Sequence, residues 1–181
     1  MPSVPAVQID QMPGSVESFV TLRDRIAATP QGGAAAMIVA LHLYAQDASL
    51  GQACLAVAVD ASRLQEGAAG YQGWQMRLRE LQLIRSQLAQ QPYLPQSYLG
   101  GTAPEKGYAL PPAPYTITFS ANPLAGDPDA AEQKLFVVCS GASKPRPVTL
   151  RRDARGIWKA LEWSSLIMGI VPAPKAGAPA L

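Results

Sequence analysis

The chain has 181 residues, of which 48% are apolar and 15% charged, and a net charge of +2. So few charges, against about a quarter in ordinary soluble proteins, exclude an intrinsically disordered chain, and the length suits one domain with a sizeable core. The small net charge makes neither nucleic acid nor an anionic membrane a default partner.

The first fourteen residues, MPSVPAVQIDQMPG, contain neither a basic nor an apolar targeting region and read as a flexible tail. Ser15 can cap a first helix, with Glu17 in its opening turn and Phe19, Leu22 and Ile26 at helical spacing. Arg23, Asp24 and Arg25 lie on its other side. The stretch TPQGG at 29–33 reads as a break. Residues 34 to about 46 then form a helix that is apolar nearly all round, and such a helix is central. It is too short to cross a bilayer, which needs about 20 residues. Asp47 or Ser49 caps a third helix over residues 50–59. Its Ala53, Ala56 and Ala58 permit close approach, so the second and third helices are expected to pack as an antiparallel hairpin.

A polar, glycine-rich loop at 65–70 precedes a fourth helix, from about Trp74 to Gln90. Trp74, Leu78, Leu81, Ile84 and Leu88 fall on one stripe of it. Residues 92–114 have no period and are rich in proline, glycine and tyrosine; they mark the switch from helices to strands. Strand signals follow at 115–119 (YTITF), 134–139 (KLFVVC) and 147–151. A hairpin loop at 153–156 (DARG) leads to a partner strand over 157–162. A last strand is expected at 165–171, ended by Pro172, and 173–181 reads as a second tail. The order predicts a single α+β domain over 15–172, with a helical part (15–91), a loop (92–114) and a β part (115–172). About four N-terminal helices would pack on a mainly antiparallel sheet of about five C-terminal strands.

Little catalytic chemistry is legible. The single histidine, His42, sits in the most apolar helix, so no serine or cysteine has an evident base. Cys54 and Cys139 stand apart in apolar surroundings and read as buried, reduced thiols. One histidine and two distant cysteines do not make a zinc site. Gly32-Gly33 and Gly100-Gly101 read as turns, since no phosphate-loop pattern surrounds them. Asp127, Asp129 and Glu132 read as a solvated loop. No catalytic residue, metal or cofactor is expected.

Binding candidates are of three kinds. Lys144, Arg146, Arg151, Arg152, Arg155 and Lys159 make a basic hairpin tip, which reads as a charged sheet edge; Arg146, Arg151 and Arg152 are its candidate contacts for an acidic partner or a phosphate. Tyr93, Tyr98 and Tyr108 either form a recognition surface or staple their loop to the domain, and stapling is the favoured reading. Glu162, followed by Trp163, needs a partner if it points inward, because a lone buried carboxylate is costly.

Three stretches carry a resemblance: SVESFVTLRDRIAATPQGGAAAMIVALHLYAQDASLG, GYQGWQMRLRELQLIRSQLAQQPYLPQSY and CSGASKPRPVTLRRDARGIWKALEWSSLIMGI. Together they resemble a bacterial domain family of unknown function, over roughly residues 15–172. The resemblance implies one bacterial domain and brings no activity or site residues. The motif G-x-W-K at 156–159 also gives the β half a looser likeness to the nuclear-transport-factor-2-like fold. The expectation is a non-enzymatic cytoplasmic interaction module, an accessory, adaptor or immunity-type protein acting on another protein, with no nucleic-acid or membrane role. The alternative is a ligand or enzymatic pocket between helices and sheet, using Glu162, Trp158, Trp163 and His42.

Overall fold

Ser15 begins the first helix as its position predicts. Its hydroxyl accepts the Ser18 N–H at 3.1 Å while the Ser18 hydroxyl accepts the Ser15 N–H, and the reciprocal cap starts α1 (Val16–Ile26). The computed structural model describes residues 4–121 and 126–175. Helix α2 (Pro30–Gln46) starts four residues before the expected position, capped by Thr29 with proline at its first turn. Gly32 and Gly33 are therefore helical and not a turn. A Cβ on Gly32 would overlap the Ile26 carbonyl, and one on Gly33 would stand 2.7 Å from the Trp158 carbonyl oxygen. Close approach, not turn geometry, demands these glycines. Every residue from Gly32 to Tyr44 is buried, which makes α2 the central helix.

Asp47 ends α2 and also caps α3 (Ala48–Ala58), accepting the Ser49 and Leu50 N–H groups at 3.1 and 3.2 Å. Gly51 lets α3 pack directly on Tyr44, where any side chain would clash. The expected close pair of helices is present.

Beyond α3 the order departs from expectation. Residues 65–70 are not a loop but belong to β2 (Leu64–Tyr71), paired antiparallel with β3 (Trp74–Met76). Between Glu66 and Tyr71 the register shifts, and this bulge folds over the buried Gln75, whose Oε1 accepts the Ala69 N–H at 3.1 Å. Helix α4 (Leu78–Gln90) starts only after this hairpin. Leu81, Ile84 and Leu88 face the core, but Trp74 and Leu78 are 47% and 65% exposed, so the predicted stripe begins at Leu81.

The N-terminal segment is not simply a tail. Val7–Ile9 forms β1, pairs antiparallel with β4 (Tyr115–Ile117), and buries Ile9 completely. So short a strand carries no readable period, and its partner lies far along the chain. β5 (Phe119–Ser120), β6 (Glu132–Val137), β7 (Arg146–Arg152) and β8 (Trp158–Glu162) form an antiparallel sheet in the order 5-6-7-8. The turn between β7 and β8 is the expected one, with Gly156 at φ +82° and its N–H on the Asp153 carbonyl at 3.0 Å.

The expected last strand is absent: Ser164–Ile167 is a 3-10 turn, followed by an extended strap. Its backbone is held by other groups, with Gln91 bonding the Ile170 N–H and carbonyl and Val171 N–H reaching Gly141. Residues 176–181 of the expected C-terminal tail lie outside the described residues. The free side of β8 is closed by the helical layer. Trp158 N–H donates to the Ala27 carbonyl at 2.9 Å, and Asp60 N–H donates to the Ala160 carbonyl at 2.8 Å. Sheet and helices thus share main-chain hydrogen bonds as well as a core.

Candidate functional site

The three loop tyrosines act as pins. Tyr98 is buried and its hydroxyl donates to the Leu166 carbonyl at 2.5 Å. Tyr108 is fully buried and donates to the Val171 carbonyl. Tyr93 stacks on Tyr108 with centroids 5.1 Å apart, and its hydroxyl accepts the Ala173 N–H at 3.1 Å. The phenol groups hold the C-terminal strap against the loop.

The predicted basic residues are likewise engaged. Arg146 donates to the Met168 and Gly169 carbonyls. Arg151 reaches Glu132 at 2.8 Å and Asp60 at 3.1 Å. Arg152 lies 5.7 Å from the Trp158 ring centre. Glu162 is exposed and pairs with Arg63, which also stands 3.7 Å from Glu80. Trp163 is core. His42 is buried inside α2, and burial holds its pKa below the usual value. Glu162 therefore points away from the core that encloses His42, and the two do not converge on a pocket.

A different set of side chains does converge. Arg23 from α1, Lys159 from β8 and Arg155 from the β7–β8 turn line one side of an open cleft of about 190 Å³. The local cause is the C-terminus of α3. Its Val57 carbonyl has no partner within the helix, and it accepts Lys159 Nζ at 2.6 Å and Arg23 Nη1 at 3.4 Å. Cations collect at such a helix end because its last carbonyls carry negative partial charge.

Two carboxylates balance this group in part. Arg23 Nε contacts Asp24 at 2.8 Å, and Arg155 Nη2 contacts Asp153 at 2.9 Å. Asp60 is taken up by Arg151 and by the Ser62 hydroxyl at 2.5 Å. Burial pushes the Lys159 ammonium down to about 8, helped by repulsion from Arg23 and Arg155 and opposed by Asp153 and Asp60. The lining of the cleft itself holds three cations, Arg23, Arg155 and Lys159, and no carboxylate, while Asp24, Asp153 and Asp60 stand against them from behind it. Among the described residues, Arg23 Nη2, Arg155 Nη1 and the remaining Lys159 protons have no protein acceptor.

The β2–β3 hairpin adds aromatic groups to the same lining. Tyr71 and Trp74 flank Gln72-Gly73, both at positive φ (51° and 83°), the arrangement of a tight two-residue hairpin turn. This turn brings the exposed Trp74 to the cleft. The sequence pattern places Arg23 on the solvent side of α1 and Trp74 in the core; the structure exchanges these roles, with Arg23 6% exposed. One signal of the cleft is present in the sequence: Lys159 alternates with the inward Trp158 and Ala160 on a strand, which directs it to the face opposite the sheet core.

A family model described as a domain of unknown function (DUF6935) matches residues 11–174. Neither a search of curated proteins nor one of solved structures returned a match. Among the described residues, no helix is long and apolar enough to cross a membrane.

Proposed function

The chain belongs to the DUF6935 family, whose function is unknown, and from its own geometry we propose that it is a non-enzymatic interaction module that recognises an acidic segment of a partner protein. The observation that carries this reading is a cleft lined by three cations and no carboxylate together with an exposed tryptophan. Tryptophan and arginine are the side chains that most often dominate protein–protein binding energy. Arg146, Arg151, Arg152 and the three loop tyrosines are occupied by contacts within the chain, which favours the cleft as the recognition surface. Two buried free thiols suit a reducing cytoplasm, and an accessory or adaptor role in a multi-protein system follows from recognition without catalysis.

The test is cross-linked affinity capture with three baits: the full chain, Trp74→Ala with Arg155→Glu, and Leu83→Ala as a surface control. A partner held by the wild type and the control but lost from the double variant supports the reading. A partner retained by the double variant would overturn it, as would the absence of any protein partner.

A further inference from the structure

Resting on that reading, we infer that the cleft is a carboxylate site, and that its ligand carries one carboxylate joined to a flat or apolar group. The charge count selects the anion. The lining offers three cations and no carboxylate, but Asp24, Asp153 and Asp60 stand behind it, so a single negative charge is accommodated where a phosphate dianion would meet three carboxylates at close range. The free donors suit the same ligand, because Lys159 supplies a point charge and Arg155 Nη1 a planar N–H for two carboxylate oxygens. Tyr71 and Trp74 line the same cleft and supply the apolar surface on which a ring or branched side chain would rest. At about 190 Å³ the cleft holds one such group and not an extended chain. The carboxylate can come from an acidic residue of a partner peptide or from a free carboxylic acid.

The charged and titratable groups around Lys159 are Arg23 on α1, Asp60 beyond α3, Tyr71 on β2, and Asp153 and Arg155 in the β7–β8 turn, with Asp24 paired behind Arg23. A bound carboxylate favours the protonated lysine. Affinity is therefore full below about pH 8 and falls above it, by up to about tenfold per pH unit.

The experiment is a titration of the isotope-labelled full chain, followed by NMR, with four probes: phenylacetate, neutral phenylacetamide, inorganic phosphate, and acetyl-Phe-Asp-amide. Phenylacetate and the peptide should shift the amide signals of Tyr71, Gln72, Arg155 and Lys159, and bind at least about fivefold more tightly than phenylacetamide or phosphate. Arg155→Ala, at an exposed turn position, and Lys159→Met should each weaken phenylacetate about tenfold, with melting checked for both. Phosphate binding more tightly than phenylacetate, affinity unchanged between pH 7 and 9.5, or shifts mapping elsewhere would overturn the inference. Cleft-dependent capture of a protein without carboxylate binding would sink this inference and spare the proposed function. Binding of phenylacetate but not of the peptide would keep the carboxylate site, identify a free acid as its source, and count against the protein-partner reading.

Discussion

At Lys159 the ammonium group donates to Val57 between two guanidinium groups, and burial with that repulsion brings it from 10.5 to about 8. The unfolded chain binds this proton more tightly than the folded one, so the group weakens the fold below pH 8 and the penalty lifts between 8 and 10.5. Lys159→Met should accordingly melt no lower than wild type at pH 7 and lack the rise above pH 8. A drop of more than about 4 °C would mean that the Val57 hydrogen bond outweighs the buried charge. His42 works at the other end of the scale. Its Nδ1 has no partner among the described residues and burial lowers its pKa from 6.5. The folded chain resists this proton, so the stability present above pH 6.5 is lost as pH falls below it, by up to about 1.4 kcal/mol per unit until the folded histidine titrates. Thermal melts between pH 7.5 and 5 should show that loss, and His42→Leu should flatten it. Equal acid sensitivity in the variant would assign the effect to other groups.

Elements with a strong period are legible in the amino-acid pattern, and α4 shows where a period misleads. Leu81→Ala should cost about 2–5 kcal/mol in chemical denaturation, because it empties a core position. Trp74→Ala should cost under about 0.5 kcal/mol, because the exposed indole lies on the hairpin and not on the helix. Equal losses would return Trp74 to the core. The capped α1, the apolar α2 and the β7–β8 hairpin are readable from local pattern, as is the α+β class. β2 is not, since LQEGAAGY has no alternation and its glycines serve a bulge around Gln75. The strap after β8 resembles a strand because it is apolar, yet Gln91 and Gly141 satisfy its backbone in place of a neighbouring strand. The tyrosine staple is legible in kind. The cleft is not, because Arg23, Trp74, Arg155 and Lys159 meet only after β8 docks on the ends of α1 and α3, and no local spacing records that meeting.

At the scale of the molecule, β8 is the seam. It completes the sheet on one side and bonds the Ala27 and Asp60 main chain on the other, so removing it exposes both the edge of β7 and one flank of α2. A fragment ending at residue 152 should fail to melt cooperatively and should bind a hydrophobic dye, whereas the full chain melts in one transition and leaves the dye unbound; a cooperative transition in the fragment would show that the rest of the fold stands without β8. The seam also has a consequence for synthesis. The central helix leaves the ribosome early with α1 and α3 beside it, while the strand that covers its remaining flank, β8, is made more than about a hundred residues later. At about 5–20 residues per second, the flank of α2 that β8 covers waits roughly 6–25 seconds for its partner in every round of translation. For that interval an apolar flank of the nascent chain is open to association with other chains, so slower elongation lengthens its exposure whatever the stability of the finished fold.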